Sequence, residues 1–253
     1  MNIDKPNPSD IPALRGLWQD AFGDSDSFLD SFFTTAFDVN RARCVKLDGK
    51  IVAVLYWFDC SCNGARLAYV YAVTTAQAYR GRGVCSALMD GVHRHLASIG
   101  YAGVVLVPCS KELFRFYEKF GYSTCSCVSE FRCFASDEKA EIREVGADEY
   151  ATLRRLFLPK NGVVQERENI TFLQTYAKFY AGDGFVLVAS KGKDVLHGAE
   201  LLGDTTKAPS IVRALGCTEG RFRTVGKEKP FAMYRNLGDK QCNSPTYFGL
   251  AFD

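Results

Sequence analysis

Between Tyr71 and Leu88 the sequence reads YAVTTAQAYRGRGVCSAL: a β-prone run, a glycine-rich turn, then residues with helical spacing. Gly81 and Gly83 carry no Cβ where successive backbone N–H groups must converge on one point. The helix start behind them adds N–H donors without intrahelical partners and the positive end of the helix dipole. With Arg80 and Arg82 alongside, the segment is suited to hold a phosphate or pyrophosphate. Two other glycine loops are excluded by spacing. The triphosphate loop requires Gly-x4-Gly-Lys-Ser/Thr, and no Lys-Ser/Thr follows Gly83. The dinucleotide fingerprint requires a third glycine where Ser86 stands, and a strand that opens a parallel unit.

A second informative stretch follows. Gly103–Val107 has the composition of a buried strand, and Lys111–Phe120 reads as a short helix ending at Gly121. It carries the run Leu113-Phe114-Arg115-Phe116-Tyr117-Glu118-Lys119-Phe120-Gly121-Tyr122.

These two segments, in this order and at this separation, resemble motifs A and B of the GCN5-related N-acetyltransferase (GNAT) superfamily. Motif A is Gln/Arg-x-x-Gly-x-Gly/Ala, matched by Arg80-Gly81-Arg82-Gly83-Val84-Cys85 except that Cys85 replaces the last small residue. Motif B ends in Phe-Tyr-x-x-x-Gly-Phe/Tyr, matched by Phe116 to Tyr122. The resemblance covers roughly residues 1–135. It implies acetyl-CoA as cosubstrate, with the backbone of Val73, Thr74 and Thr75 beside the pantetheine arm. The loop Arg80, Gly81, Arg82, Gly83, Val84, Cys85 and Ser86 would hold the pyrophosphate. An N–H of the strand, that of Val73, would face the thioester oxygen, and Tyr117 takes the family's general-acid position. The reaction implied is acetyl transfer to a primary amine of a small molecule or peptide, by direct attack through a tetrahedral intermediate. A non-catalytic acyl-CoA-binding and protein-interaction module is the alternative. A closer likeness is to the enhanced-intracellular-survival type of multidomain acetyltransferase, whose second domain lacks the phosphate loop and whose C-terminal carboxylate reaches the active site. That likeness implies a catalytic role for the carboxylate of Asp253.

The elements that must position these residues follow from periodicity. Helices are expected at Ile11–Phe22 and about Ser27–Phe37. Asp48-Gly49 and Asn63-Gly64 predict hairpin turns joining strands Arg43–Leu47, Ile51–Cys60 and Leu67–Thr74. Val84, Ala87, Leu88, Gly91, Val92, His95 and Leu96 form one helical stripe, closed by Gly100. Strand pieces are expected at Tyr122–Val128 and Glu130–Phe134. After the charged connector Ser136–Glu141 the pattern restarts with strand Glu141–Val145, a helix through Tyr150 and Leu156, and a long helix Arg167–Tyr180. Strands Phe185–Ser190 and Val195–Leu202, a helix near Pro209–Leu215, and strands Phe222–Val225, Phe231–Arg235 and Tyr247–Ala251 complete it. The expected fold is α+β: a GNAT fold with a mixed, mostly antiparallel sheet flanked by helices, over residues 1–137. A second, smaller GNAT-like or sterol-carrier-like domain without a phosphate loop is expected over 138–253.

Other titratable residues carry less. Asp59 and Glu130 sit at strand ends and read as solvated carboxylates, so no general base is assigned. His93 and His95 read as packing or surface residues, and His197 has no partner in view. Phe28, Phe32, Phe33, Tyr56 and Trp57 are expected in the core, with some lining an acceptor pocket. The 253 residues carry 31 Lys+Arg against 29 Asp+Glu, a net charge of +2. That balance gives no electrostatic footprint for nucleic acid or an anionic membrane. No apolar run is long enough to span a bilayer, and the N-terminus lacks an apolar signal core, so a cytoplasmic setting is expected. The ten cysteines include Cys60/Cys62 and Cys125/Cys127, whose spacing puts each pair on one face of a strand rather than around a metal. They are expected to be reduced packing residues.

Overall fold

A computed structural model describes residues 1–238 and 244–252. They fall into two compact units, one of Met1–Ser123 with the stretch from Tyr234, the other of Thr124–Met233 with the C-terminal stretch.

The first unit contains β1 (Ile3–Asp4), α1 (Ile11–Phe22), α2 (Asp26–Thr35), β2 (Ala42–Leu47), β3 (Lys50–Cys62), β4 (Ala65–Thr75), α3 (Val84–Ser98), β5 (Gly103–Leu106) and α4 (Lys111–Glu118). The strands lie in the order β1-β2-β3-β4-β5. All neighbours are antiparallel except β4 and β5, which are parallel. Both hairpin turns have the paired positive φ of type I′, with Asp48 at 50° and Gly49 at 76°, and Asn63 at 50° and Gly64 at 76°. On one face of the sheet α3 buries Val84, Leu88, Met89, Val92 and Leu96. The stripe is continuous because these positions recur at three- and four-residue spacing. On the other face Trp18 of α1 and Phe32 of α2 pack with Tyr56, their ring centroids 4.7 and 5.4 Å from that of Trp18.

The second unit contains β6 (Ser123–Phe134), β7 (Ile142–Val145), α5 (Ala147–Phe157), β8 (Val164–Gln165), α6 (Glu168–Leu173), β9 (Lys178–Gly182), β10 (Phe185–Lys191), β11 (Val195–Gly203), α7 (Ala208–Ala214), β12 (Glu219–Val225) and β13 (Lys229–Asn236), which leaves this unit after Met233. The order β7-β9-β10-β11-β12 runs antiparallel at its first three junctions and parallel at its last. That is the sequence of orientations seen from β1 to β5. Leu187, Leu196, Ile211, Val212 and Phe222 form the core against α7. Both units are α+β with a mixed sheet flanked by helices, as the residue patterns predict.

Three elements differ from those expectations. The long helix Arg167–Tyr180 is instead α6, a turn, and β9. Thr175 and Ala177 bond back to Phe172 and Leu173, ending the helix, and Phe179 and Tyr180 then pair with β10 on one side and β7 on the other. The two strand pieces from Tyr122 to Phe134 are one continuous strand, β6. Tyr247–Ala251 is buried but irregular, because one isolated bridge from Tyr247 to Gly162 and side chains, rather than a ladder, hold its backbone. The Ser126 hydroxyl accepts from the Phe248 N–H at 3.0 Å, and the Gln165 amide donates to the Leu250 carbonyl at 2.7 Å.

Candidate active site

Along β3, Tyr56 pairs with Tyr71 and Val54 with Thr74, so β4 fits one more residue than β3 between the two pairs. The result is a β-bulge, with Ala72 at φ +48°. The parallel ladder to β5 ends at Tyr69 and Val105, while β4 runs on to Thr75. The two strands therefore part at the height of Val73, Thr74 and Thr75. Thr74 and Thr75 are buried and Val73 is half-buried.

Beyond Thr75 a 3-10 turn, Gln77–Tyr79, leads into the glycine segment. Gly81 has φ +73° and Gly83 +75°, and a Cβ on either would meet nothing within 4 Å. Backbone conformation, not crowding, is what demands glycine here. Arg80 is tied back to the strand, its Nε donating to the Thr75 carbonyl at 3.0 Å. The Arg82 guanidinium lies over the Tyr79 ring, 5.7 Å from its centroid. Gly83 is the N-cap of α3 and no side chain caps that end. The first backbone bond into the helix is from Ala87 to the Gly83 carbonyl. Among the described residues, the main-chain N–H groups from Gly81 to Ser86 make no close hydrogen bond beyond the turn itself, and Arg80 to Gly83 are exposed. Burial pushes the Cys85 thiol up, offset in part by the Thr75 hydroxyl.

Tyr117 lies on α4, whose N-cap Ser110 accepts from the Leu113 N–H. It is 7% exposed and packs edge-on against Phe116 and Tyr122. Burial holds its phenol well above the ordinary range, and the thiols of Cys85 and Cys109 act in the same direction. Tyr117 therefore keeps its proton near neutral pH.

The remaining candidates are accounted for elsewhere. Asp59 is partly exposed and paired: Arg66 donates to both its oxygens at 3.0 and 3.3 Å, and the Tyr101 hydroxyl donates to Oδ1. It pairs across the sheet with Ala68, about 20 Å along β4 from Thr74 at the usual rise per residue. Glu130 is paired with Lys229 at 2.9 Å. His93 is buried: its Nδ1 contacts Arg235 Nη1 at 2.8 Å and its Nε2 contacts the Tyr122 hydroxyl at 2.7 Å. Because a guanidinium only donates, Nδ1 accepts and Nε2 carries the hydrogen. His95 is half-buried and bonded to Arg43. Phe28, Phe32 and Phe33 join Trp18 in one ring cluster that reaches Tyr56 and Tyr71. Trp57 points to the opposite sheet face, beside His95. The nine described cysteines are free thiols; Cys109 is exposed, and so does not pack as expected. Cys242 and the Asp253 carboxylate lie outside the described residues. The bulge at Ala72 is the feature residue types do not announce, since alanine has no preference for positive φ.

Residues 2–125 match a family model described as the acetyltransferase (GNAT) domain. The chain carries a GNAT domain. Solved structures agree in fold over most of the chain. A GCN5-related N-acetyltransferase from Kribbella flavida superposes with a TM-score of 0.71 at 18% identity, covering 93% of this chain and 72% of that one. Eis1 from Mycobacterium abscessus gives 0.68 at 10% identity, covering 94% and 74%. A tandem GNAT protein from the clavulanic acid biosynthesis pathway gives 0.59 at 10% identity, covering 95% and 99%. At these identities the likeness is one of fold. No curated protein matches the sequence. In the GNAT domain the glycine segment, the parted ends of β4 and β5, and Tyr117 all belong to the first unit. No helix among the described residues is long and apolar enough to cross a membrane.

Proposed function

We propose that the first unit is an acetyl-CoA-dependent N-acetyltransferase acting on a primary amine. The observation that carries this reading is the run of N–H groups from Gly81 to Ser86 that lack a close partner at the uncapped start of α3. It adjoins the end of β4, beyond the last residue paired with β5. A pyrophosphate fits such a set, because the convergent N–H groups and helix dipole supply charge complementarity without a bulky side chain. Arg82 and Gly83 to Ser86 would bind it, with Arg80 steadying the loop from Thr75. The backbone of Val73–Thr75 would lie along the pantetheine arm like an added strand. Acetyl-CoA supplies an activated acyl group as a thioester.

Ala72 and Val73 fall at the bulge, outside the register with β3, and the Val73 N–H would face the oxyanion formed as the amine attacks the acyl carbon. The attacking amine must be neutral, and an alkylamine in water has a pKa near about 10.4, so its proton leaves first. The departing thiolate needs a proton, and Tyr117, kept protonated by burial, would donate it. The second unit, with the same strand order but no glycine segment between β11 and α7, is read as a GNAT-like domain that does not bind acetyl-CoA. The domains are taken as 1–137 and 138–253. A contribution from the Asp253 carboxylate, implied by the likeness to the survival-type enzymes, belongs to the same proposal and is tested by deleting that one residue.

The test is free-thiol release from acetyl-CoA across a panel of small amines and peptide N-termini. Amine-dependent release is the expected result. Binding of CoA with no amine-dependent release overturns it in favour of a non-catalytic acyl-CoA-binding module.

A further inference from the structure

The second unit has a cleft of about 450 Å³ lined by residues from β6, β10, β11 and β12, with Tyr176 at its wall. It lies on the sheet face opposite the Leu196 and Phe222 core, since neighbours along a strand alternate faces. Its floor is charged. The register sets Arg132 opposite Arg221, Arg221 opposite His197, and His197 opposite Ser190. Directly opposed residues share a face, so two guanidiniums and an imidazole stand in one row across three strands.

Like charges in that arrangement destabilise a sheet unless something holds them. Here one carboxylate does. Glu219 accepts from Arg132 at 2.6 Å through Oε2 and from Arg221 at 2.8 Å through Oε1. Glu219 is 12% exposed, whereas the two arginine side chains are 56% and 60% exposed. Two guanidiniums on one carboxylate leave an excess positive charge, and each of the two has five N–H donors to offer. Arg223, the third arginine of the cleft, is engaged differently, with its Nε 3.7 Å from Glu130 and its guanidinium 4.5 Å over the Phe231 ring.

We propose that this cleft binds a phosphate group, free or carried on a small molecule, through Arg132, Arg221 and His197. A phosphate offers three strong acceptor oxygens, enough for one from each member of the row, and arginine forks suit its geometry. A carboxylate offers two. The site uses side chains on strands and is separate from the backbone N–H groups of the glycine segment.

Isothermal titration of the full chain with inorganic phosphate and with glycerol phosphate tests this, with succinate as the dicarboxylate control. Two variants report on the cleft. Arg132→Gln/Arg221→Gln removes the clamp, and Ser190→Asp sets a negative charge in the row while leaving every ion pair in place, so folding is not at stake. Each is expected to weaken phosphate binding at least tenfold, in the Gly83→Ala background as in the wild-type chain. Tighter binding of glycerol phosphate than of inorganic phosphate assigns the site to a phosphoester, and the reverse to the free ion. No heat at millimolar phosphate, equal affinity in wild type and both cleft variants, loss that follows Gly83→Ala alone and neither cleft variant, or succinate binding as tightly as phosphate would each overturn the proposal.

Discussion

Tyr117 and His93 show how burial sets the protonation of single groups in this fold. Burial raises the Tyr117 phenol, with Cys85 and Cys109 adding to the effect, so the side chain holds its proton, as the proposed donor must. Tyr117→Phe keeps the ring packing against Phe116 and Tyr122 and removes only the donor. Turnover is expected to fall by about 10²- to 10⁴-fold, the usual range for an acid–base residue, with CoA affinity unchanged by titration. Unaltered turnover would remove Tyr117 from the mechanism. His93 is shifted the other way: burial first, and then the Arg235 charge, lower it to about 3. The unfolded chain takes up this proton below roughly pH 6.5, and the folded chain does not. The stability associated with His93 is therefore complete above about pH 6.5 and falls as the pH drops toward 3, by up to about 1.4 kcal/mol per pH unit. Urea midpoints at pH 7 and pH 5 check this: His93→Gln, which does not titrate, is expected to lose less between them than wild type.

At the scale of elements, the glycine segment and α3 form one device. Gly83 stands at φ +75° with open space around a Cβ, so Gly83→Ala tests conformation alone. It should cost about 1–2 kcal/mol for forcing an L-residue into the left-handed region, read as a lower urea midpoint, and should raise the KM for acetyl-CoA as the N–H groups lose their alignment. This part of the fold was legible because its signals are local. Glycine at positive φ, Asp-Gly and Asn-Gly hairpins and the α3 stripe are all decided by neighbours within a few residues. What escaped is decided at long range. Phe179 and Tyr180 continue a helical pattern yet become a central strand because β7 and β10 lie on either side. Tyr247–Ala251 alternates like a strand, but Ser126 and Gln165 take up its backbone groups. The pairing of Asp59 with Arg66 and Tyr101 is made across the sheet and has no local signal. At the site the loop and Tyr117 could be anticipated from motif spacing, whereas the bulge at Ala72 arises from pairing with β3, which no property of alanine foretells.

For the molecule as a whole, the most consequential polar feature is a buried cluster in the second unit. Arg154 and Glu200, with side chains 2% and 0% exposed, form a two-point ion pair at 2.6 and 2.9 Å. Tyr150 and Tyr247 donate to the same carboxylate at 3.1 and 3.0 Å, which pins the C-terminal segment. Glu200→Gln leaves the guanidinium buried without its counter-charge and is expected to cost about 3–5 kcal/mol. Arg154→Met/Glu200→Leu should recover much of that loss. Chemical denaturation gives the energies, and faster proteolysis between Thr246 and Phe252 in Glu200→Gln would show that the segment is released. The chain also visits the first unit twice. Residues 234–237 return to it: the Tyr234 ring lies where a Cβ on Gly103 would stand, Arg235 meets His93, and the Leu237 N–H donates to Ala102. A fragment ending at residue 137 lacks all three contacts. It is expected to melt well below the full chain, or without a cooperative transition, in a calorimetric scan; a sharp transition at the full-length temperature would show these contacts to be dispensable.

The same return has a consequence in time. A ribosome that has released Ser123 must make the residues up to Tyr234 before the first unit can be completed, roughly 5–20 s at ordinary rates of synthesis. For that interval the nascent acetyltransferase domain has an unfilled space over Gly103 and a buried histidine without its arginine, a window in which chaperones have something to hold.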